Sequence, residues 1–181
     1  PPRGGGRPAD DEEAFDPILT EEIEGELPEH SPRRASIYRQ ILNMSVPQKI
    51  RLAMLGNKEA RAILVRDSNK QVCGAVIRSP RLTETEVVAY ANSRNVSDEV
   101  LRLIAANRDF VKLYPVRLAL VTNPRTPVSI ALRQLGTLTD KDIEALTKNR
   151  NVPSAVVAAA RRLLAAKAEQ QRRREQPLGG H

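Results

Sequence analysis

The same pattern occurs twice in this chain, 56 residues apart, and it limits the fold more than any other feature. Leu82-Thr83-Glu84-Thr85-Glu86-Val87 through Asn95-Val96-Ser97-Asp98-Glu99-Val100 matches Leu138-Thr139-Asp140-Lys141-Asp142-Ile143 through Asn151-Val152-Pro153-Ser154-Ala155-Val156. Within it, Arg94-Asn95-Val96 recurs unchanged as Arg150-Asn151-Val152. A second echo, at an offset of 44, pairs Ala75-Val76-Ile77-Arg78-Ser79-Pro80-Arg81 with Ala119-Leu120-Val121-Thr122-Asn123-Pro124-Arg125. Repeats of tens of residues imply stacked units, each unable to bury its apolar face alone.

The unit reads as helical. Val87, Val88, Tyr90 and Ala91 cluster on one face, and Val100, Leu101, Ile104 and Ala105 follow the spacing of a buried stripe. Thr83 with Glu86 forms a capping box, and Thr139 with Asp142 is its shorter-acid relative. Thr126 before Pro127 and Val152 before Pro153 set proline at a helix start, where its missing N–H is harmless. Asn92, Asn107, Asn123 and Asn149 mark ends, as residues that tolerate a left-handed cap. The pattern predicts helices near 34–42, 46–55, 58–66, 70–78, 83–92, 97–106, 115–122, 126–135, 139–148 and 153–169, with a short turn near 109–113. Strand signals, at 62–65 and 71–77, are weak. Helices of about ten residues are marginal alone in water, so each depends on its neighbours.

Charge divides the chain. Residues 1–35 hold four arginines against ten acidic residues, a net of −6, whereas residues 36–181 hold 25 basic against 12 acidic, a net of +13. Residues 1–32, rich in Gly, Pro and acids, are expected to be a disordered tail. Residues 33–170 are the expected helical-repeat domain, and 171–181 a disordered basic C-terminal tail. One island interrupts the acidic tail: Phe15, Ile18, Leu19 and Ile23 alternate with carboxylates, with a short helix allowed from Thr20 onward. Two readings are open, a solvated linker or a docking motif that folds on a partner or on the basic body of its own chain.

Ala119-Leu120-Val121-Thr122-Asn123-Pro124-Arg125-Thr126-Pro127, followed by Ala131, Leu132 and Leu135, resembles the leucine-rich-repeat-variant unit. In that unit an apolar helix ends in Asn-Pro and Thr-Pro opens the next. Ile77-Arg78-Ser79-Pro80-Arg81-Leu82-Thr83 is a looser copy. The resemblance covers about residues 50–165. It implies an all-α chain, a right-handed α-solenoid of short stacked helices related in shape to HEAT and armadillo stacks. Spacings of 44 and 56 depart from one uniform short repeat, so the wider α-solenoid class is what carries over. Such families are generally non-catalytic binding scaffolds.

Composition removes much chemistry. One cysteine leaves no internal disulfide and no cysteine-built zinc or iron–sulfur site. The two histidines, His30 in a Pro/Glu-rich stretch and His181 at the end, offer no base for Ser–His–Asp catalysis. Leu55-Gly56-Asn57-Lys58 has a lone glycine, short of a phosphate-cradling loop, and reads as one helix end and the next start. Glu84/Glu86, Asp98/Glu99 and Asp140/Asp142 sit in first helical turns, where acids complement the helix dipole. Cys73 reads as a small core residue. Without tryptophan there is no aromatic pocket of the kind used by HEAT-like glycosylases. No enzyme, cofactor or metal is expected. No apolar run approaches the roughly 18 residues of a membrane helix, and no signal core opens the chain, so a cytoplasmic location is the expectation.

Two binding classes compete. Arg66, Arg81, Arg94, Arg108, Arg125 and Arg150 each follow an apolar stripe. As equivalent solenoid positions they would stack into a partner-binding ridge; equally, arginine there caps helix ends. The first class is a protein-interaction scaffold that takes an acidic or linear partner segment. The second is a nucleic-acid binder, its ridge on phosphates, which needs no aromatics. Tyr38, Tyr90, Phe110 and Tyr114 are few and read as mostly core-like, so a base-stacking platform is missing. Oligomeric state is left open.

Overall fold

The computed structural model describes residues 14–175. Among them are twelve helices and no strand, so the chain is all-α as its periodicity indicates. In order they are α1 (Pro17–Thr20), α2 (Pro32–Leu42), α3 (Val46–Leu55), α4 (Lys58–Leu64), α5 (Lys70–Ile77), α6 (Glu84–Asn92), α7 (Asp98–Ala106), α8 (Arg108–Lys112), α9 (Tyr114–Thr122), α10 (Val128–Leu135), α11 (Asp140–Lys148) and α12 (Ser154–Glu175).

Starts are written in the sequence as side-chain caps. The Ser45/Gln48 and Thr83/Glu86 capping boxes are both closed, and Ser31, Asn57, Asn69, Ser97, Asn107 and Thr139 each accept a first-turn N–H. Thr126 departs from expectation: α10 opens after Pro127 with no side-chain cap, and the buried Thr126 hydroxyl has no partner.

The asparagine ends work differently from the left-handed cap expected of them. Asn107, Asn123 and Asn149 are extended, with φ of −82°, −74° and −87°, and Asn92 is the last residue of α6 rather than its cap. An extended cap lets the side chain fold back on the chain two residues on. Asn107, Asn123 and Asn149 accept from the N–H of Asp109, Arg125 and Asn151 at 2.9 Å each.

Packing follows chain order. α2 packs on α4, α3 on α5, α5 on α7, α6 on α9 and α10 on α12, beside contacts between sequence neighbours. The buried apolar side chains form two clusters, one from Leu19 to Leu120 and one from Val121 to Ala160. Cys73 lies in the first, and burial pushes its thiol above the ordinary range. Gly56 makes the tight α3–α4 corner: a Cβ there would meet the Leu52 carbonyl at 2.6 Å.

The expected tail boundaries need correction. Within 1–32, residues 14–32 are described, and Leu19 is fully buried in the first cluster with Phe15, Ile18, Ile23 and Leu27 packed against it. The short helix begins at Pro17, capped by Asp16, three residues before the expected start. Composition alone predicts disorder because it cannot register a long-range hole for one leucine. At the other end α12 continues through Glu175, so 171–175 are helical. Residues 1–13 and 176–181, His181 included, lie outside the described residues.

Candidate peptide-docking surfaces

Two surfaces are built on α2, α3 and α4. The first is the seat of the N-terminal segment. Asn57 lies at the α3–α4 corner with its side chain fully buried. Its Oδ1 caps α4 by accepting from Ala60 N–H at 3.0 Å, which leaves Nδ2 free to donate to the carbonyls of Ile18 (2.9 Å) and Glu21 (2.8 Å). Asn57 N–H donates to Leu19 at 2.8 Å. Arg81 donates from Nη1 to the carbonyls of Thr20, at 2.9 Å, and Leu55, and from Nη2 to the Glu22 carboxylate at 2.6 Å. Gln40 donates to Asp16 at 3.1 Å, and the Arg51 guanidinium sits 5.2 Å from the centre of the Phe15 ring.

Behind the seat lies a buried ion pair. Arg61 of α4 donates from Nε and Nη2 to the two carboxylate oxygens of Glu86 on α6, at 2.8 and 2.9 Å, and from Nη1 to Gly56 O at 2.7 Å. Burial works to raise the Glu86 carboxyl. The bonds from Arg61 and Thr83 outweigh it and hold the group below the usual carboxylate range. Tyr90 donates its hydroxyl to the same carboxylate, and burial beside that charge pushes the phenol well above its ordinary value.

The second surface is an open groove of about 710 Å³. Its apolar wall includes Ala35, Ile41, Ile63 and the unusually exposed Tyr38 (52%) and Leu42 (58%). Of the aromatics read as mostly core-like, Tyr38 is the exposed one; it stands on the face of α2 next to the buried Ile37–Ile41 stripe. Arg34, Lys49 and Arg66 supply cations, with Glu29, His30, Ser31 and Asp67 also lining it. Two of the cations are internally engaged, Lys49 with Asp67 at 2.8 Å and Arg34 with Glu59 at 3.8 Å. Burial acts to raise the Asp67 carboxyl, but Lys49 and the Asn69 N–H hold it below the ordinary range. The Arg66 side chain has no bonded partner among the described residues, and α2 carries Arg33, Arg34 and Arg39 without one acid.

The six sequence-singled arginines have different surroundings. Arg66 lines the groove, Arg81 grips the N-terminal segment, and Arg150 lines a smaller hollow with Lys148 and Arg161. Arg94, Arg108 and Arg125 are exposed, with no side-chain bond among the described residues. Phe15, Ile18, Leu19 and Ile23 meet the chain's own body. Sequence reasoning read Asn57 as a helix start, which it is, but not as a donor to the N-terminal segment, and it missed Arg61 and the Tyr38/Leu42 pair. A signal for the last exists: Ile37/Ile41 and Tyr38/Leu42 are two parallel apolar stripes, more than one buried face needs.

Among the described residues no three His, Cys, Asp or Glu side chains gather as a metal site, and no helix is long and apolar enough to cross a membrane. Compared with protein-family models, curated proteins and solved structures, the chain matches none.

Proposed function

We propose that this chain is a non-catalytic interaction scaffold, an α-solenoid that docks an acidic, apolar-bearing linear segment of a partner protein in the groove between α2, α3 and α4. The order of packing supports the solenoid. One row runs α2–α4–α6–α9–α11, joined where α2 meets α4, by Arg61–Glu86, where α6 meets α9, and by Tyr114 donating to Asp142. The other holds α3–α5–α7 and then α10–α12. Each helix finds its partners within a few elements, as in nearest-neighbour architectures.

The observation that carries the docking site is the exposed pair Tyr38 and Leu42, one helical turn apart, in a concave wall flanked by cations. A helix or strand laid there places apolar anchors against the pair, and its carboxylates meet Arg66 and the acid-free helix α2. Charge complementarity with a body of net +13 speeds encounter and sets orientation.

The test compares a random peptide library, single-stranded DNA and RNA for binding to the full chain at equal salt. Peptides combining acids with two apolar anchors should be enriched and should lose binding to the Tyr38→Ser/Leu42→Ser variant. Tighter binding of either nucleic acid, with a steep salt slope and no dependence on Tyr38, would overturn the reading in favour of a phosphate-binding arginine ridge.

A further inference from the structure

We propose that residues 15–23 are a ligand bound in cis: they fill a second peptide site, read by Asn57, Arg61 and Arg81, which takes an acidic turn of a partner protein when that partner displaces them. This site is separate from the groove at Tyr38 and Leu42, and neither reading depends on the other.

The segment does not hold its own shape. α1 is four residues long, and a helix that short has no stability of its own in water. Its conformation is imposed by the seat. Four consecutive carbonyls, from Ile18 to Glu21, accept from body donors: Asn57 N–H, Asn57 Nδ2 and Arg81 Nη1. These donors read backbone and so are indifferent to side chains. Selectivity comes from two points. Leu19 enters a fully enclosed apolar hole, and the Glu22 carboxylate meets Arg81 at 2.6 Å and Arg61 at 3.8 Å. The ligand so defined is a helical turn with leucine followed three residues later by a carboxylate.

The connection to the body is built to release it. Glu24, Gly25, Glu26, Pro28, Glu29 and His30 are exposed, no side chain of residues 24–30 makes a hydrogen bond or ion pair to the body among the described residues, and Leu27 packs against the first core cluster. Gly25 sits at φ +78°, the one positive φ among the described residues, and turns the chain sharply between segment and α2. Releasing the segment would uncover the leucine hole, strip Asn57 Nδ2 of both its acceptors and leave Arg81 with the Leu55 carbonyl but without Thr20 and Glu22, groups that demand replacement partners. A tethered segment acts at an effective concentration of about millimolar order, so an intact chain resists a micromolar competitor.

The experiment cuts the tether and keeps every contact. A protease site is inserted between Gly25 and Glu26 of the full chain, which leaves Leu27 packed on the core, and uptake of a labelled peptide of residues 14–24 is measured before and after cleavage. The cut chain should keep its helical circular dichroism and take up peptide about a hundredfold better than the intact chain, given that effective concentration. Unlabelled peptide should displace the label, whereas peptides bearing Glu22→Lys or Leu19→Asp should not. Uncut full chain carrying Glu22→Lys, an exposed change, should also gain peptide uptake. Loss of helicity on cleavage would show the segment to be core and overturn the proposal. So would a cut segment that never exchanges, or equal competition by the Glu22→Lys peptide.

Discussion

Arg61 and Glu86, twenty-five positions apart, meet as a two-bond fork in which Arg61 is 1% and Glu86 3% exposed. The pair ties α4 to α6, and each partner has a second duty. Arg61 closes the α3–α4 corner through Gly56, and Glu86 completes the capping box with Thr83. Such a pair adds little over a well-packed apolar substitute, but removing one member strands a buried charge.

Glu86→Gln should therefore destabilise by about 3–5 kcal/mol at neutral pH, the usual effect of breaking a buried pair. The pH dependence follows from the direction of its shift. With its folded pKa held below the unfolded value of about 4.3, Glu86 contributes its stability above that value and loses it as pH falls through the folded pKa. Denaturant midpoints should show a constant gap between wild type and Glu86→Gln from pH 7 to 5, narrowing below about pH 4. A gap that widened on acidification would contradict this account.

The asparagines that end helices should separate into two kinds. Asn123 is buried and donates to Ala91 O at 2.7 Å and Ser93 O at 2.9 Å, linking the ends of α9 and α6. Asn149 is exposed and, among the described residues, its side chain accepts only from Asn151 N–H. Asn123→Ala should cost about 1–3 kcal/mol, because the buried Ala91 carbonyl and the half-buried Ser93 carbonyl lose their donor. Asn149→Ala should fall within about 0.5 kcal/mol of wild type. Thermal melts of the two variants side by side decide it.

Arg81 should likewise part company with the other arginines. Arg81→Ala removes three acceptors' donor and should speed amide exchange across residues 15–22 while lowering the melting temperature. Arg94→Glu, Arg108→Glu and Arg125→Glu, at exposed positions without internal partners, should each change stability by at most about 1 kcal/mol. Equal effects at all four positions would mean that Arg81 does not anchor the segment.

Ten of the helices were legible in the sequence to within a few residues at most boundaries, because caps such as Ser45, Thr83 and Thr139 are local chemistry. What escaped was long-range. Arg61 follows Ala60 on a short helix and looks like one more solvated charge; only a carboxylate brought from α6 makes it a buried residue. Leu19 sits among acids that advertise disorder, and its hole is assembled from α2, α3 and α4. Asn123 was recognisable as a helix end, but its reach to α6 depends on how the helices stack. The six arginines share a sequence position without sharing surroundings, since a loop residue's neighbours are set by the element packed against it. The groove was foreshadowed by the doubled apolar stripe on α2, yet the cations around it come from α2, α3 and the turn after α4.

The most direct test of the scaffold reading places a photoreactive benzoylphenylalanine at position 38 of the full chain in living cells. After irradiation, nuclease treatment and denaturation, the chain should carry a protein adduct whose attachment point lies in an acidic segment with apolar anchors. The adduct should disappear with Leu42→Glu and should not form from position 102, which is exposed on α7. No adduct at position 38, a nuclease-sensitive one, or equal labelling from position 102 would contradict it.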